Sequence, residues 1–113
     1  MTLEDITQSF KALSDPIRLR IVFQLMNKES LCVCEIVAAL ALNQSTVSRH
    51  LAYLKNSGLV KSWREGVWMH YALRTENLHG IDLEKFKSNL TITDEINKDL
   101  KNIADKNSNC VIK

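Results

Sequence analysis

Several features that would commit this chain to a membrane, to secretion or to catalysis are missing from it. No apolar run approaches the ~20 residues of a membrane span. The opening "MTLEDITQSFKALSD" is acidic and amphipathic, where a secretory leader would be basic and then apolar. The expectation is a cytoplasmic protein with no membrane partner. Its three cysteines, Cys32, Cys34 and Cys110, are too few for a disulfide framework, so reduced thiols are expected. There is no Cys-x-x-Cys, no phosphate-cradling loop and no paired general base, so the chain is not expected to be an enzyme such as a small thiol reductase. No repeat or low-complexity segment is present. Aromatic residues make up only 6% of the 113 residues, which makes for a thin core. A chain of this size buries roughly 65% of its unfolded surface, and pairing with a second copy would add to that.

What the chain does have is ordinary globular composition, with 45% apolar and 25% charged residues and a formal net charge of +2. The charge is uneven. Residues 1–42 and 75–113 are each slightly acidic, whereas residues 43–74 carry Arg49, Lys55, Lys61, Arg64 and Arg74 against Glu65 alone. A local basic face is the footprint of phosphate binding, although a merely solvated face would look the same by charge.

Apolar spacing gives a run of helices with one interruption. Leu3, Ile6, Phe10 and Leu13 lie on one helical face. Pro16, following Ser14 and Asp15, suits the first turn of a second helix with the stripe Ile17, Ile21, Val22 and Leu25. Val33, Ile36, Val37 and Leu40 predict a third helix of about two turns. The turn "ALNQS" follows, and Asn43 or Ser45 caps a fourth helix whose inner face is Val47, Leu51 and Leu54 and whose end is marked by Gly58. Gln44, Ser45, Thr46, Ser48, Arg49 and Tyr53 point mainly away from that inner face, as a helix entering a major groove requires.

After Gly58 the period changes to two. Val67, Met69, Tyr71 and Leu73 alternate with Trp68, His70, Ala72 and Arg74, and "REG" supplies a turn, predicting a β-hairpin over about residues 59–73. Trp63 and Trp68 are expected to pack within it. The expected fold is therefore mostly α with a β-hairpin, a winged helix-turn-helix with Lys61 and Arg64 near the wing. Leu83, Phe86 and Leu90, then Ile96, Leu100 and Ile103 with Thr93 as a cap, predict two short helices or one kinked helix. One domain is expected over residues 1–106, followed by a mobile tail over 107–113.

Cys32 and Cys34 stand at the mouth of the helix-turn-helix. Successive helical residues turn by about 100°, so Cys32 and Cys34 are expected on opposite flanks of the Val33 stripe, where in an undistorted helix they cannot share one ion. Bonds of roughly 2.3 Å to one ion would then require the helix start to unwind. The helix N-terminus is expected to lower their pKa. As ligands, such soft thiolates without a nearby histidine favour As(III), Sb(III), Cd(II) or Pb(II). The alternative is that they are small buried apolar fillers. His70 and His79 are expected to be hairpin or loop residues, with no ligand partner beside them.

Taken in order, "FKALSDPIRLRIVFQLM", "LCVCEI", "QSTVSRHLAYLKNSGLV" and "REGVWMHYAL" resemble the ArsR (ArsR/SmtB) family of metalloregulatory repressors, in its arsenic-responsive branch. The resemblance covers about residues 5–74 continuously. It implies a homodimer formed through the first and last helices that holds an inverted-repeat operator and leaves it when As(III) or Sb(III) binds Cys32 and Cys34, with no organic cofactor. A Cd(II) or Pb(II) sensor and a thiol redox switch are the alternatives on the same scaffold. The resemblance also carries DNA contacts onto Ser45, Thr46, Ser48, Arg49 and His50, with His50 alternatively packing or capping. The arsenic-responsive pattern often has a third cysteine where this chain has Val37. Cys110 from either protomer, or a small cellular thiol, would then complete a three-sulfur site; Cys110 is otherwise an incidental thiol. The family's zinc pair needs histidine on the last helix, and "TDEINKDLKNIADK" has none.

Overall fold

A computed structural model of the chain describes residues 2–78, 81–90 and 93–106. Along the chain these form α1 (Leu3–Leu13), α2 (Pro16–Asn27), β1 (Leu31–Cys32), α3 (Val33–Leu40), α4 (Gln44–Asn56), β2 (Val60–Glu65), β3 (Trp68–Leu73), a 3-10 turn (Thr75–Asn77), α5 (Leu83–Leu90) and α6 (Asp94–Lys106). Helix α3, its turn and α4 are the helix-turn-helix, and β2–β3 is the wing. The last third is two helices, and the Thr93 hydroxyl accepts from the Ile96 amide at 3.3 Å at the start of α6.

Local chemistry sets the boundaries. In α1, Thr2 and Asp5 satisfy each other's amides, both at 3.1 Å. Asp15 accepts from the amides of Ile17 and Arg18 at 2.9 and 3.1 Å, with Pro16 in the first turn of α2. Asn43, not Ser45, caps α4: its Oδ1 accepts from the Thr46 amide at 2.8 Å, and the Ser45 hydroxyl donates to the same oxygen. At the other end the amides of Gly58 and Leu59 donate to the carbonyls of Lys55 and Leu54, both at 3.0 Å, with Gly58 at φ +80. That closing pair requires a left-handed residue, which is why glycine stands there.

The wing turn is Gly66–Val67, since Glu65 pairs with Trp68. Val67, read from the alternation as part of the strand, is therefore in the turn. The sheet also has a third strand that the alternation does not reveal: β1 lies against β3, giving the order β1-β3-β2, all antiparallel.

Ile21, Val22, Ile36, Ala39, Val47, Leu51, Leu54 and Leu59 are fully buried and form one core between α2, α3, α4 and the sheet. Helix α6 packs along α2 and α3 through Ile96 and Ile103. Between those two lies Asp99, 1% exposed. Its carboxylate accepts from Nε and Nη2 of Arg20 at 2.9 Å each, and the same Nη2 donates to the Leu40 carbonyl at 2.9 Å. Asn102 Nδ2 donates to the Ala39 carbonyl at 3.1 Å. The last carbonyls of α3, which have no partners within the helix, are thus held by α2 and α6. No helix among the described residues is long and apolar enough to cross a membrane.

Asp99→Ala strands the Arg20 guanidinium. Removing one member of a buried pair costs about 3–5 kcal/mol, and because 21% of the Arg20 side chain reaches solvent the lower end is expected. Urea denaturation should show a loss near ~3 kcal/mol; a loss below ~1 kcal/mol would mean that the pair does not hold the helices together.

Candidate nucleic-acid interface and thiol site

The basic face is built on α4 and the wing. Gln44, Ser45 and Arg49 are exposed, Thr46 and Ser48 are half-buried beside them, and Lys61 and Arg64 are exposed on β2. The structure thus puts the predicted DNA-contacting side chains on α4 and the wing strand, with Val47, Leu51 and Leu54 of α4 turned into the core.

His50 has a different neighbourhood. Its Nδ1 accepts from Arg18 Nη1 at 3.3 Å and lies 3.8 Å from Asp15 Oδ2. Arg18 also donates to the Ala12 carbonyl at 2.7 Å and lies 3.9 Å over the Tyr53 ring. His50, Tyr53, Arg18 and Asp15 therefore pin α4 against α2, the packing alternative left open for His50. Burial first, then the positive charges of Arg18 and Arg49, push the His50 pKa down against the pull of Asp15.

At the thiol site the structure departs from the expected helix. Cys32 belongs to β1 and precedes α3 in an extended conformation (φ -83, ψ 161), while Cys34 is in the first turn. The two Sγ atoms are 3.1 Å apart; Cys32 is a free thiol, whereas Cys34, expected to be reduced, is disulfide-bonded in this structure, so a two-thiol site forms only once Cys34 is reduced. With bonds of about 2.3 Å to a shared ion, that separation corresponds to roughly 85° at the ion, so the helix start does not need to unwind. The donor set of two soft sulfurs on one side suits a pyramidal or otherwise open centre. Burial raises the Cys32 pKa, and the Glu35 carboxylate adds to this. The expected lowering by the helix end does not prevail there, because Cys32 is only 6% exposed and desolvation outweighs the fractional helix charge. Glu35 Oε1 accepts from the Cys32 amide at 2.9 Å, closing the first turn.

Cys110 and His79 lie outside the described residues. Among the described residues, no three His, Cys, Asp or Glu side chains gather as a metal-holding group. His70, expected to have no partner beside it, is the residue directly opposite Cys32 in the β1–β3 pairing. Nothing in the alternation signals this neighbour, because a two-residue strand has no period to detect.

Residues 15–62 match the family model described as "Bacterial regulatory protein, arsR family". Over 66 residues the chain is 47% identical to the arsenical resistance operon repressor of Escherichia coli K12, covering 58% of this chain and 56% of that protein. The chain spans little more than half the length of curated relatives of this kind. Among solved structures it is similar to the transcriptional repressor PagR of Bacillus anthracis, with a TM-score of 0.64, 32% identity, and 78% of this chain and 94% of that one covered. It is also similar to the AntR antimony-specific transcriptional repressor, with a TM-score of 0.60, 26% identity, and 74% and 71% covered.

The depressed His50 pKa has a testable sign. The folded chain resists protonating His50 more than the unfolded chain does, so its neutral-state contribution is full above the ordinary value of 6.5 and is lost as pH falls below it. Relative to His50→Gln, which keeps an acceptor for Arg18, the wild type should lose stability between about pH 8 and about pH 5 in urea titrations. Parallel pH profiles would contradict this.

Proposed function

Because the chain belongs to the arsR family of bacterial regulatory proteins, we propose that it is a dimeric transcriptional repressor released from its operator when As(III) or Sb(III) binds Cys32 and Cys34. The observation that carries this reading is the 3.1 Å approach of the two cysteine sulfurs at the entrance to the helix-turn-helix, a pair that can take a metalloid when both are reduced. The names of the E. coli relative and of the antimony-specific structural neighbour support a metalloid as the inducing class.

In this account one α4 from each protomer enters successive major grooves of an inverted repeat. Gln44, Ser45, Thr46, Ser48 and Arg49 meet bases or phosphates, with His50 holding the helix from behind, and Lys61 and Arg64 of the wing meet phosphate. The second copy covers α1 and α6. Leu3 is 80% and Phe10 54% exposed on α1, an apolar face that the chain leaves uncovered by itself. Arsenite, As(OH)₃, exchanges hydroxide for thiolate at Cys32 and Cys34, and each thiol proton leaves with a hydroxide as water. Cys110 or a small cellular thiol supplies the remaining sulfur.

The same sulfur approach favours a second reading, a redox switch in which an oxidant removes two electrons and two protons from the fully reduced pair and joins Cys32 to Cys34. Parallel DNA-release titrations with As(III), Sb(III), Cd(II), Zn(II) and peroxide separate the two.

Cys32→Ser and Cys34→Ser should each keep DNA affinity and lose release by As(III), since each removes a soft ligand and leaves the basic face untouched. Release by a factor of about 100 requires the ion to favour the DNA-free form by ~2.7 kcal/mol. If the double variant still left its operator on adding As(III), the thiols would be fillers.

The two parts of the basic face should respond differently to alanine. Arg49→Ala should cost ~1–3 kcal/mol on the specific site if it reads a base. Lys61→Ala with Arg64→Ala should weaken specific and non-specific binding alike and flatten the salt dependence. A selective loss of sequence preference in the wing variant, at unchanged salt slope, would contradict that division.

A further inference from the structure

Cys32 is part of the same sheet as the wing. Directly opposite residues on neighbouring strands share a face, so the pairings Cys32–His70 and His70–Trp63 set these three residues in a row across β1, β3 and β2. The Trp63 and His70 rings are stacked, with centroids 5.9 Å apart and planes at 16°. Glu65, the last residue of β2 before the wing turn, accepts from Trp63 Nε1 at 3.3 Å and lies 3.2 Å from His70 Nε2. The β1–β3 strand pairing and these side-chain contacts together link the thiol site to the residues flanking Arg64.

Two further observations direct motion along that row. The end of α3 is anchored through the Leu40 and Ala39 carbonyls to side chains of two other helices, whereas its start is closed by its own Glu35 and joined to the sheet through β1. The strand at that start is two residues long, and the Cys32 amide is committed to Glu35. The hold of β1 on β3 accordingly rests on two residue pairs, Leu31–Tyr71 and Cys32–His70.

Resting on the thiol-site reading above, we propose that the β1–β3 pairing is a two-state element that carries inducer occupancy to the wing, with His70 as the positioning residue between them. In the reduced protein a soft ion that fixes both sulfurs constrains the Cys32 side chain and, through it, the backbone of β1. The pairing with β3 shifts, the Trp63–His70–Glu65 row moves with it, and the wing cations leave the DNA backbone. The recognition helix, pinned to α2 by Arg18 and His50, is not the first element to respond. Coupling of this kind is physical only if both sites bias the same discrete element, and β1 touches both.

The test uses the reduced full chain and sodium arsenite. Arsenite binding is measured by equilibrium dialysis, DNA release by fluorescence anisotropy, and β-sheet opening by amide exchange on the unaltered protein. Arsenite should speed exchange of the amides around His70 and Tyr71 by at least about tenfold while the buried amides of α2 stay protected. His70→Ala should bind arsenite and DNA as the wild type does, yet show release weakened at least about tenfold, ~1.4 kcal/mol of coupling. If arsenite binds and releases DNA but β3 exchange is unchanged, or His70→Ala releases DNA like the wild type, the wing coupling is wrong and the thiol-site reading stands. If the wild type binds no arsenite, both fall together.

Discussion

An isolated helix of eight residues does not hold together in water, so α3 depends on its buried face of Val33, Ile36, Ala39 and Leu40 and on the fastening of both its ends. Its first turn is closed by Glu35 onto the Cys32 amide, and its last carbonyls are taken by Arg20 and Asn102. Each fastening leads to a part of the molecule with its own task. The start leads through β1 to the wing and carries the thiols, while the end leads through Asp99 to α6. Helix α4 is positioned against this framework by the shared core and by the Arg18, His50 and Tyr53 contacts with α2. A short helix secured from outside at both ends is well placed to report on chemistry at one of them.

The charge arrangement complements this. The net positive charge lies on α4 and the wing, where phosphate contact adds affinity without sequence information. Cys32 is buried and Cys34 half-buried, and neither belongs to that face, so a ligand there alters DNA binding only through the intervening structure. This separation is what allows an inducer to act by differential affinity instead of by competing for the DNA surface.

Much of this was legible from residue spacing. The stripes of α1 to α4, the cap before Pro16, the helix-ending Gly58 and the change to period two at the wing all follow from local rules that neighbouring packing did not override. What was not legible was non-local. Strand β1 is two residues long and has no period, so the spacing points to a helix start at Cys32 where the backbone is extended. That displaced the expected thiol geometry, the direction of the Cys32 pKa and the proximity of His70 together. Asp99 sits between Ile96 and Ile103 in a helix rich in charged residues, and only its meeting with Arg20, far away in sequence, distinguishes it from a solvated carboxylate. The choice between Asn43 and Ser45 as the cap of α4 turned on one oxygen position.

The account depends on a reciprocal link between metalloid and DNA, and that link is measured most directly by determining As(III) affinity in the presence and absence of saturating operator DNA. If the inducer acts through the protein, operator DNA must weaken As(III) binding by the same factor by which As(III) weakens operator binding, about 100-fold for a release of that size. As(III) affinity that is the same with and without operator would contradict the account, however tightly the ion binds.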